Sequence, residues 1–367
     1  MKSGNFTNSL RRGWTTGACA MAATTAACTA LATGNFPKPV TIILPGGQMP
    51  SFNVIKTELR KDFAGVSIIK DAGDDPDITD GAEIRVEVQI SSVGSGITFK
   101  AGSGVGIATL PGLPIPVGAP AINPAPQKMI ESAVTSIANK NNGLANVEIT
   151  ISIIGGEKLA KKTMNPRLGI KGGLSILGTT GIVIPYSCAS WIHAIHRGID
   201  VAHAQGLCHL LAATGSTSEK IASQAYPSFP EQATIDMGDF VGGMLKYLRK
   251  HPVQKLTLVG GFAKLTKLAD GALDLHSSRS TINFNSLAQK LAALGASSEI
   301  VQRTKSANTA MEVLELAKGA RLPLANTVAV RAREVALAVL SGGTDIEVIV
   351  INRDSQRVGL AGFKENA

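Results

Sequence analysis

The sequence predicts an α/β plus α+β protein of two domains, a strand-rich mixed domain over residues 1–190 and an α/β domain over residues 191–367. Before about residue 190, strand patterns alternate with loops rich in Gly and Pro. Beyond that point the order strand, glycine turn, helix repeats, which is typical of a Rossmann-like parallel sheet with crossover helices. The change of rhythm places the domain boundary between residues 185 and 195.

Local patterns justify each element of the first domain. An Ala-rich run closed by Gly34 predicts a helix over residues 18–33. Six of the seventeen prolines lie between residues 110 and 126, which predicts an extended loop there. A helix is expected over 127–140, and apolar or alternating runs predict strands over 40–44, 66–69, 84–90 and 147–154.

The second domain opens with three strand-helix units. Strands are expected at 208–213, 233–237 and 255–259, and helices at 219–225, 240–250 and 263–269. Further helices follow at 286–294, 298–316 and 325–340, before a final strand pair at 346–351 and 357–360. Ligands of such a sheet bind at the carboxyl ends of its strands.

Composition narrows the class of protein. Thirty-six Lys and Arg against 27 Asp and Glu give a formal charge of +9, which favours an anionic partner. Fifteen aromatic residues in 367 disfavour a single-strand nucleic-acid binder that stacks bases on rings. The four cysteines show no C-x-x-C pair, so neither a disulfide framework nor a zinc site is indicated.

Cysteine usage therefore favours a cytoplasmic protein. Arg11-Arg12 followed by the Ala-rich run imitates an export signal, but the run has too little Leu, Ile and Val for its apolar region. No apolar stretch reaches the roughly 18 to 20 residues that span a bilayer, so no membrane association is expected.

Three glycine clusters, at residues 102–106, 178–181 and 214–217, follow apolar segments. None fits a P-loop or an intact G-x-G-x-x-G, and each by itself is better explained as a tight turn. The third cluster opens the first strand-helix unit. We take as candidate cofactor-binding residues Gly178, Thr179, Thr180, Gly215, Ser216 and Thr217.

Asp236 and Asp239 lie 21 and 24 residues after Gly215, at the end of the second predicted strand. An acidic residue at this distance often holds ribose hydroxyls. The alternative for Asp239 is an N-cap for the helix at residue 240. Both aspartates are candidate cofactor-binding residues.

Two clusters of polar residues each allow more than one interpretation. Five carboxylates lie within residues 71–80, where the calcium-loop pattern fails; they form either a solvated turn or a site that contacts a sulfonium. His193, His196 and His203 share a helical pattern without an intervening acid, so surface histidines are favoured over a metal site. His276, just beyond the third strand-helix unit, is the candidate catalytic residue.

Residues 11–20 (RRGWTTGACA) resemble the R-x-G-[YW]-T-T-G-x-C-A opening of the cobalt-precorrin-5B C1-methyltransferase (CbiD) family. Blocks at 70–84, 104–130, 165–185 and 260–277 agree in the same order. The resemblance implies transfer of a methyl group from S-adenosylmethionine to carbon 1 of cobalt-precorrin-5B, which yields cobalt-precorrin-6A in cobalamin biosynthesis. Cobalt enters only within the anionic tetrapyrrole, and neighbouring pathway enzymes are conceivable partners.

The family blocks also suggest where the tetrapyrrole carboxylates bind. Lys264 and Lys267, three residues apart on one predicted helix, are expected to face the same crevice. The full set of candidate substrate-binding residues is Arg12, Thr15, Thr16, Arg167, Lys264, Lys267 and Arg279. The chain departs from the family pattern G-H-x-G-K-L at Gly261 and Ala263, and from N-T-H-S at Asp274 and Leu275.

Two other functions use the same features. A nicotinamide-dependent oxidoreductase would share the sheet but calls for a cleaner glycine motif. A non-catalytic tetrapyrrole-binding protein would bind the corrinoid precursor without affinity for S-adenosylmethionine.

Overall fold

The computed structural model of the chain describes residues 10–140 and 144–364. The chain divides into two compact units that meet in sequence between Cys188 and Ala189. Each unit has its own large hydrophobic core. Both combine helices with sheets, so the mixed α/β character predicted from the sequence is confirmed.

The first unit is mainly a strand structure. Its strands are β1 Gly13–Trp14, β2 Val40–Thr41, β3 Ser51–Phe52, β4 Lys56–Arg60, β5 Phe63–Ile69, β6 Glu83–Ile90, β7 Ile97–Ala101, β8 Gly104–Val105, β9 Ile107–Ala108, β10 Val147–Ile153, β11 Ile170–Lys171, β12 Gly173–Leu174 and β13 Ile182–Val183. A five-stranded sheet has the order β4-β5-β6-β10-β7. All of its pairs are antiparallel except β10 with β7.

Three helices belong to this unit: α1 Thr16–Thr33, α2 Pro124–Ala138 and α3 Gly156–Ala160. The helix α1 packs against β5, β6 and α2 and is buried along most of its length. It begins at Thr15, whose hydroxyl accepts a hydrogen bond from the Ala18 amide at 3.1 Å, and ends at left-handed Gly34. Its small Ala side chains allow the close approach of neighbouring elements on all sides.

The second unit is organised around one sheet. Its strands are β14 His209–Ala213, β15 Thr234–Asp236, β16 Lys255–Gly261, β17 Asp345–Ile351 and β18 Arg357–Ala361. They lie in the order β15-β14-β16-β17-β18, and the first four are parallel whereas β18 is antiparallel to β17. The pairing of the first three predicted strands as parallel neighbours is confirmed.

Eight helices of the described residues flank this sheet: α4 Cys188–Ala204, α5 Ser216–Ala225, α6 Val241–Leu248, α7 Phe262–Ala269, α8 Phe284–Ala293, α9 Ser298–Lys305, α10 Ala310–Gly319 and α11 Leu324–Leu340. The helix α5 packs on one face, against Leu211, Val259 and Ile349. Side chains of α4, α6, α7, α10 and α11 form the core on the opposite face.

Two predicted boundaries are wrong. The single helix expected at 298–316 is broken into α9 and α10, because Thr309 caps a new helix by accepting the Glu312 amide at 3.1 Å. The helix α2 begins at Pro124, inside the segment predicted as a loop, since proline is well accommodated in a first turn.

Candidate functional site

The order of the parallel strands creates a switch point at their carboxyl ends. The chain leaves β14 through α5 to reach β15 on one side, then returns through α6 to β16 on the other side of β14. Adjacent connections therefore diverge at the carboxyl ends of β14 and β16. In open parallel sheets, ligands bind in the crevice at such a switch point.

A cleft of about 470 Å³ lies at this edge of the sheet. Its walls come from the start of α5, the start of α7, the start of α10 and the loop after β17. The lining residues are Thr214, Gly215, Ser216, Thr217, Ser218, Gly261, Phe262, Ala263, Lys264, Met311, Ile351, Asn352 and Arg353. The predicted candidates Gly215, Ser216, Thr217 and Lys264 are thus brought together in one cavity.

Gly215 forms the turn between β14 and α5. Its φ of 147° and ψ of 177° belong to a region that side chains rarely adopt, although a Cβ there would meet no atom within 4 Å. Ser218 braces the turn by donating a hydrogen bond from its hydroxyl to the Gly215 carbonyl at 2.8 Å. The backbone of the turn is therefore open to the cleft and held in place.

Lys264 connects the glycine turn to the loop after β15. Its Nζ donates to the Thr214 carbonyl at 2.8 Å and lies 3.0 Å from Oδ1 of Asp239. The carboxylate of Asp239 is thus engaged with a lysine of the cleft wall. The N-cap alternative for Asp239 is wrong, because α6 has Phe240 at its N-cap position with no side-chain cap.

Asp236 lies at the end of β15, as predicted. Its backbone carbonyl accepts a hydrogen bond from Nε1 of Trp191 at 3.3 Å, and its side chain is half-buried. Neither Asp236 nor Asp239 belongs to the lining of the cleft. Asp239 reaches the cleft through Lys264, whereas Asp236 lies one strand away from it.

The structure does not bring Lys267 to the cleft. This side chain is only 8% exposed, and its Nζ donates to the Leu275 carbonyl at 2.9 Å. The expectation that Lys264 and Lys267 face one crevice therefore differs from the structure. Lys267 fixes the loop beyond α7, where the Leu275 amide also donates to the Asp239 carbonyl at 2.9 Å.

His276 follows directly on this fixed loop and is exposed. Its Nδ1 accepts the Ser278 amide at 3.2 Å and lies 2.7 Å from the Ser278 hydroxyl. In the neutral ring the proton therefore lies on Nε2, which has no hydrogen bond among the described residues. Arg279 nearby donates to Oδ2 of Asp274 at 2.7 Å. Neither His276 nor Arg279 lines the cleft.

The second predicted glycine cluster belongs to the first unit. Gly178, with a φ of 124°, lies so close to Thr15 that a Cβ would be 2.2 Å from the threonine hydroxyl oxygen. Thr16, which is buried, accepts the Leu177 amide at 2.9 Å on its own hydroxyl. The Thr16 hydroxyl therefore fixes the start of α1 against residue 177, whereas the Thr15 hydroxyl caps the helix close to Gly178.

Thr179 and Thr180 are exposed on the same turn, where the Thr180 hydroxyl accepts the Ile182 amide at 3.2 Å. These two residues are in the first unit, whereas the cleft is formed by residues of the second. Arg12 is exposed, and its guanidinium has no hydrogen bond or ion pair among the described residues. Arg167 is half-buried in the loop before β11.

The acidic loop at residues 71–80 is an ordered turn. Asp71 accepts two hydrogen bonds from the Arg11 guanidinium, at 2.5 and 2.8 Å, and this contact lowers the pKa of the carboxyl. Lys70, almost fully buried, donates to Asp77 at 2.8 Å. The other three carboxylates accept backbone amides, namely those of Arg11 on Asp74, Tyr186 on Asp75 and Ala72 on Asp80.

Each of the five carboxylates therefore has a donor, and two of these donors belong to Arg11 of the family opening. The structure favours the ordered-turn interpretation over a sulfonium site. The segment 11–14 is held against this loop, since the Trp14 amide also donates to the Asp71 carbonyl at 2.7 Å.

Side chains that supply nucleophiles or metal ligands are sparse here. Burial raises the pKa of the Cys19 and Cys28 thiols to about 12, so neither offers a thiolate near neutral pH. Within residues 10–140 and 144–364, no group of three or more His, Cys, Asp or Glu side chains is placed to hold a metal ion. In the same residues no helix is long and apolar enough to cross a membrane.

Two of the four walls of the cleft were not predicted from the sequence. Ile351, Asn352 and Arg353 follow the last parallel strand, and Met311 begins the helix created by the break at Thr309. The predicted strand 346–351 was a partial signal for residues 351–353, but only the strand order shows that its end lies beside that of β16. Met311 had no such signal, because the helix break was not predicted.

The fold and the site define an α/β protein with a cleft, lined in part by Lys264 and Arg353, at the switch point of a parallel sheet. The family model described as CbiD matches residues 3–185, and the model described as the CbiD C-terminal domain matches residues 274–362. The chain belongs to the CbiD family.

Relatives match nearly the whole chain. A protein of Rhodospirillum rubrum is 53% identical over 355 residues, covering 96% of this chain and 98% of its own length. A protein of Brucella anthropi is 55% identical over 345 residues, covering 94% of each. Both are named cobalt-precorrin-5B C(1)-methyltransferase. The crystal structure of a cobalamin biosynthesis protein (cbiD) from Archaeoglobus fulgidus is 30% identical, covers 74% of this chain and 83% of that one, and gives a TM-score of 0.40.

Both departures from the family block at 260–265 fall in the lining of the cleft, at Gly261 and Ala263. A Cβ at Gly261 would meet no atom within 4 Å. The position that carries a His in the family pattern thus has free space beside it in this chain.

Proposed function

We propose that this chain transfers a methyl group from S-adenosylmethionine to carbon 1 of cobalt-precorrin-5B, yielding cobalt-precorrin-6A in cobalamin biosynthesis. Membership of the CbiD family and relatives of this name at 53% and 55% identity support the reaction. The chain is accordingly a methyltransferase, and its reaction requires a methyl donor. We further propose that the donor binds in the cleft of the second unit.

The glycine turn at the switch point carries this assignment. The parallel order β15-β14-β16-β17 supports a Rossmann-like interpretation of the second unit, in which backbone at the first strand-helix turn approaches the cofactor. Gly215 leaves that backbone uncovered, and Ser216 and Thr217 add hydroxyls in the first turn of α5. A volume of about 470 Å³ suits one nucleoside amino acid.

The roles of the other residues are proposals of unequal support. Lys264 orders the glycine turn, and Asp239 orders Lys264. Asp236 lies outside the lining of the cleft and is kept for the ribose hydroxyls only on its position at the end of the second strand. Gly178, Thr179 and Thr180 lose support as cofactor residues because they lie on the turn that braces α1. We propose the two units, divided near residue 188, as separate domains.

Recognition of the tetrapyrrole carboxylates is proposed for exposed cations. Arg12 has the best support, because its guanidinium is exposed and has no hydrogen bond or ion pair among the described residues; Arg167 and Arg279 remain proposals. Lys267, Thr15 and Thr16 are withdrawn from this set, since their polar atoms hold the fold. His276 remains the proposed catalytic residue, presented to the substrate by a loop that Lys267 fixes.

The donor supplies an electrophilic methyl group, and the electron-rich tetrapyrrole is the nucleophile. The task left to the protein is to align the two and to exclude water. The buried thiols agree with this, because no cysteine of the first-unit core needs to act as a nucleophile.

Calorimetric titration with S-adenosylhomocysteine tests the proposal. We expect 1:1 binding to the wild type and no binding of NAD(P). Gly215→Val should reduce affinity at least tenfold, because its side chain would project where the backbone meets the ligand.

Gly342→Val is the matched control, since Gly342 also has a left-handed φ of 108° and free space, but lies outside the cleft. It should lose a similar amount of stability and keep its affinity. Binding of NAD(P) in place of S-adenosylhomocysteine would support the oxidoreductase, and binding of the tetrapyrrole alone would support a carrier.

A further inference from the structure

The cleft carries a charge pattern that the nucleoside does not explain. Among the thirteen described residues that line it, two are cationic, Lys264 and Arg353, and none is acidic. The two cations come from different segments, Lys264 from the start of α7 and Arg353 from the hairpin between β17 and β18. Such a pocket favours an anionic group of the ligand.

The two cations are not equivalent. The charge of Lys264 is already paired within the protein, because its ammonium donates to the Thr214 carbonyl and forms an ion pair with Asp239. Arg353 is exposed, and its guanidinium has no hydrogen bond or ion pair among the described residues. A guanidinium presents a planar fork of donors that matches a carboxylate, so Arg353 is the group available to bind one.

The backbone that carries Arg353 is held firmly. Asn352 is 9% exposed, and its side-chain oxygen accepts the Gln356 amide at 2.9 Å. The Asn352 amide donates to the Gln356 carbonyl at 3.0 Å, and Ser355 takes a left-handed φ of 61° to close the turn. The hairpin therefore presents Arg353, the second residue after β17, at a fixed edge of the cleft, which reduces the entropy lost on binding.

We propose that Arg353 binds the amino-acid carboxylate of the methyl donor. The inference rests on the proposed function and assigns one end of the same ligand. A volume of about 470 Å³ suits a nucleoside amino acid, and the donor is the ligand already proposed for this cleft, so the carboxylate is taken to be that of the donor. Arg353 is then a specificity residue for a ligand that carries both a nucleoside and an α-carboxylate.

A pair of ligands isolates the carboxylate. S-adenosylhomocysteine and S-adenosyl-3-thiopropylamine differ only in that the second lacks the carboxylate. We expect the wild type to prefer the first, and Arg353→Gln to weaken its binding by about 10- to 100-fold while binding of the second is unchanged. Arg353→Lys should recover part of the preference, since it keeps the charge but not the fork.

Arg357→Gln is the control variant, because Arg357 is exposed on β18 in the same hairpin and does not line the cleft. It should bind both ligands as the wild type does. Circular dichroism of all variants checks that the hairpin change leaves the fold intact.

Three results would overturn the inference: unchanged binding of S-adenosylhomocysteine by Arg353→Gln, an equal loss for both ligands, or a loss confined to the tetrapyrrole. The last would assign Arg353 to a substrate carboxylate. If the wild type itself does not bind S-adenosylhomocysteine, the donor site of the proposed function fails and this inference fails with it. A wild type that binds normally beside an unaffected Arg353→Gln overturns the inference alone.

Discussion

Lys264 and Lys267 show how far one residue type can differ within a single helix turn. Both lie on α7, three positions apart, which predicts neighbouring side chains on one face. In the structure the Lys264 side chain is 37% exposed at the cleft, whereas Lys267 is buried under the loop that contains Leu275. The spacing is encoded in the sequence, but the loop that covers one of the two positions is not.

Lys267 is therefore expected to stabilise the fold and not to bind substrate. Replacing it with Met keeps the apolar stem but leaves the Leu275 carbonyl without its donor. The free energy of unfolding should fall by about 1 to 3 kcal/mol, the range for loss of a hydrogen bond to a charged group. Urea denaturation at constant pH measures this change.

The exposed Lys246 of α6 provides the control, since Lys246→Met should alter stability little. A Lys267→Met protein of wild-type stability with weakened tetrapyrrole binding would contradict this and restore Lys267 to the substrate site.

Other single residues also differ in whether their place in the structure could be predicted from the sequence. Gly215 was predictable, because a glycine directly after a buried strand and before a helix has few alternative uses. Arg353 was not predictable as a cleft residue. An arginine in a short loop is usually a solvated surface charge, and only the strand order shows that this loop lies at the switch point. Prediction from sequence thus succeeded where the local backbone conformation determines a residue's position, and it failed where the order of the strands determines it.

At the scale of elements, the face of the sheet covered by α5 contains a polar cluster. His209 of β14 lies 2.8 Å from the Thr257 hydroxyl of β16, and Thr257 donates to Glu347 of β17 at 3.1 Å. Tyr226, just after α5, donates to the same carboxylate at 2.6 Å. Neighbouring strands in register align these polar side chains across the sheet.

This cluster makes stability depend on pH. Burial, and secondarily the charge of Lys255, lower the pKa of His209 to about 4 from the ordinary value near 6.5. Between these two values the unfolded chain binds a proton that the folded chain does not. The stabilisation is therefore complete above about pH 6.5 and is lost as pH falls toward 4.

His209→Gln removes the titrating group while keeping a polar side chain. We expect the stability difference between wild type and variant, measured by urea denaturation at several pH values, to shrink as pH falls from 7 to 4.5. Parallel curves for the two proteins would show that His209 is not the group responsible. Phe229 and Phe363, whose rings pack against His209, lack titratable groups and should not contribute.

In the five-stranded sheet of the first unit, inner strands with strong local signals were predictable and the two edge strands were not. The strands β6 and β10 alternate buried and half-buried positions over most of their length and were expected. The outer strands β4 and β7 of the same sheet were missed, because β4 is almost entirely exposed and carries no apolar face. Edge strands depend on their neighbour for pairing, which a local pattern cannot show.

At the scale of the whole molecule, the formal charge of +9 is divided between structural and available cations. Four cations form hydrogen bonds or ion pairs within the two units, namely Arg11, Lys70, Lys264 and Lys267. Arg12 and Arg353 are exposed without such contacts among the described residues. Long-range attraction depends on the total charge, whereas a bound carboxylate depends on the few cations that remain available.

This division predicts a different salt dependence for the two ligands. The proposed tetrapyrrole carries several carboxylates, so its attraction to a protein of charge +9 should weaken as the Debye length falls from about 10 Å at 0.1 M salt to about 3 Å at 1 M. S-adenosylhomocysteine carries one carboxylate and one ammonium and is neutral overall, so its affinity should change much less. Titrations of both ligands in increasing KCl measure how steeply the affinity of each falls with salt concentration, with sucrose at matched osmolality as the control for water activity.

Arg12→Gln should make the affinity for the tetrapyrrole less dependent on salt without changing the salt dependence for S-adenosylhomocysteine, because screening acts only on charges that remain. Equal slopes for the two ligands, or a tetrapyrrole affinity indifferent to salt, would mean that the positive charge of this chain does not serve recognition of its substrate.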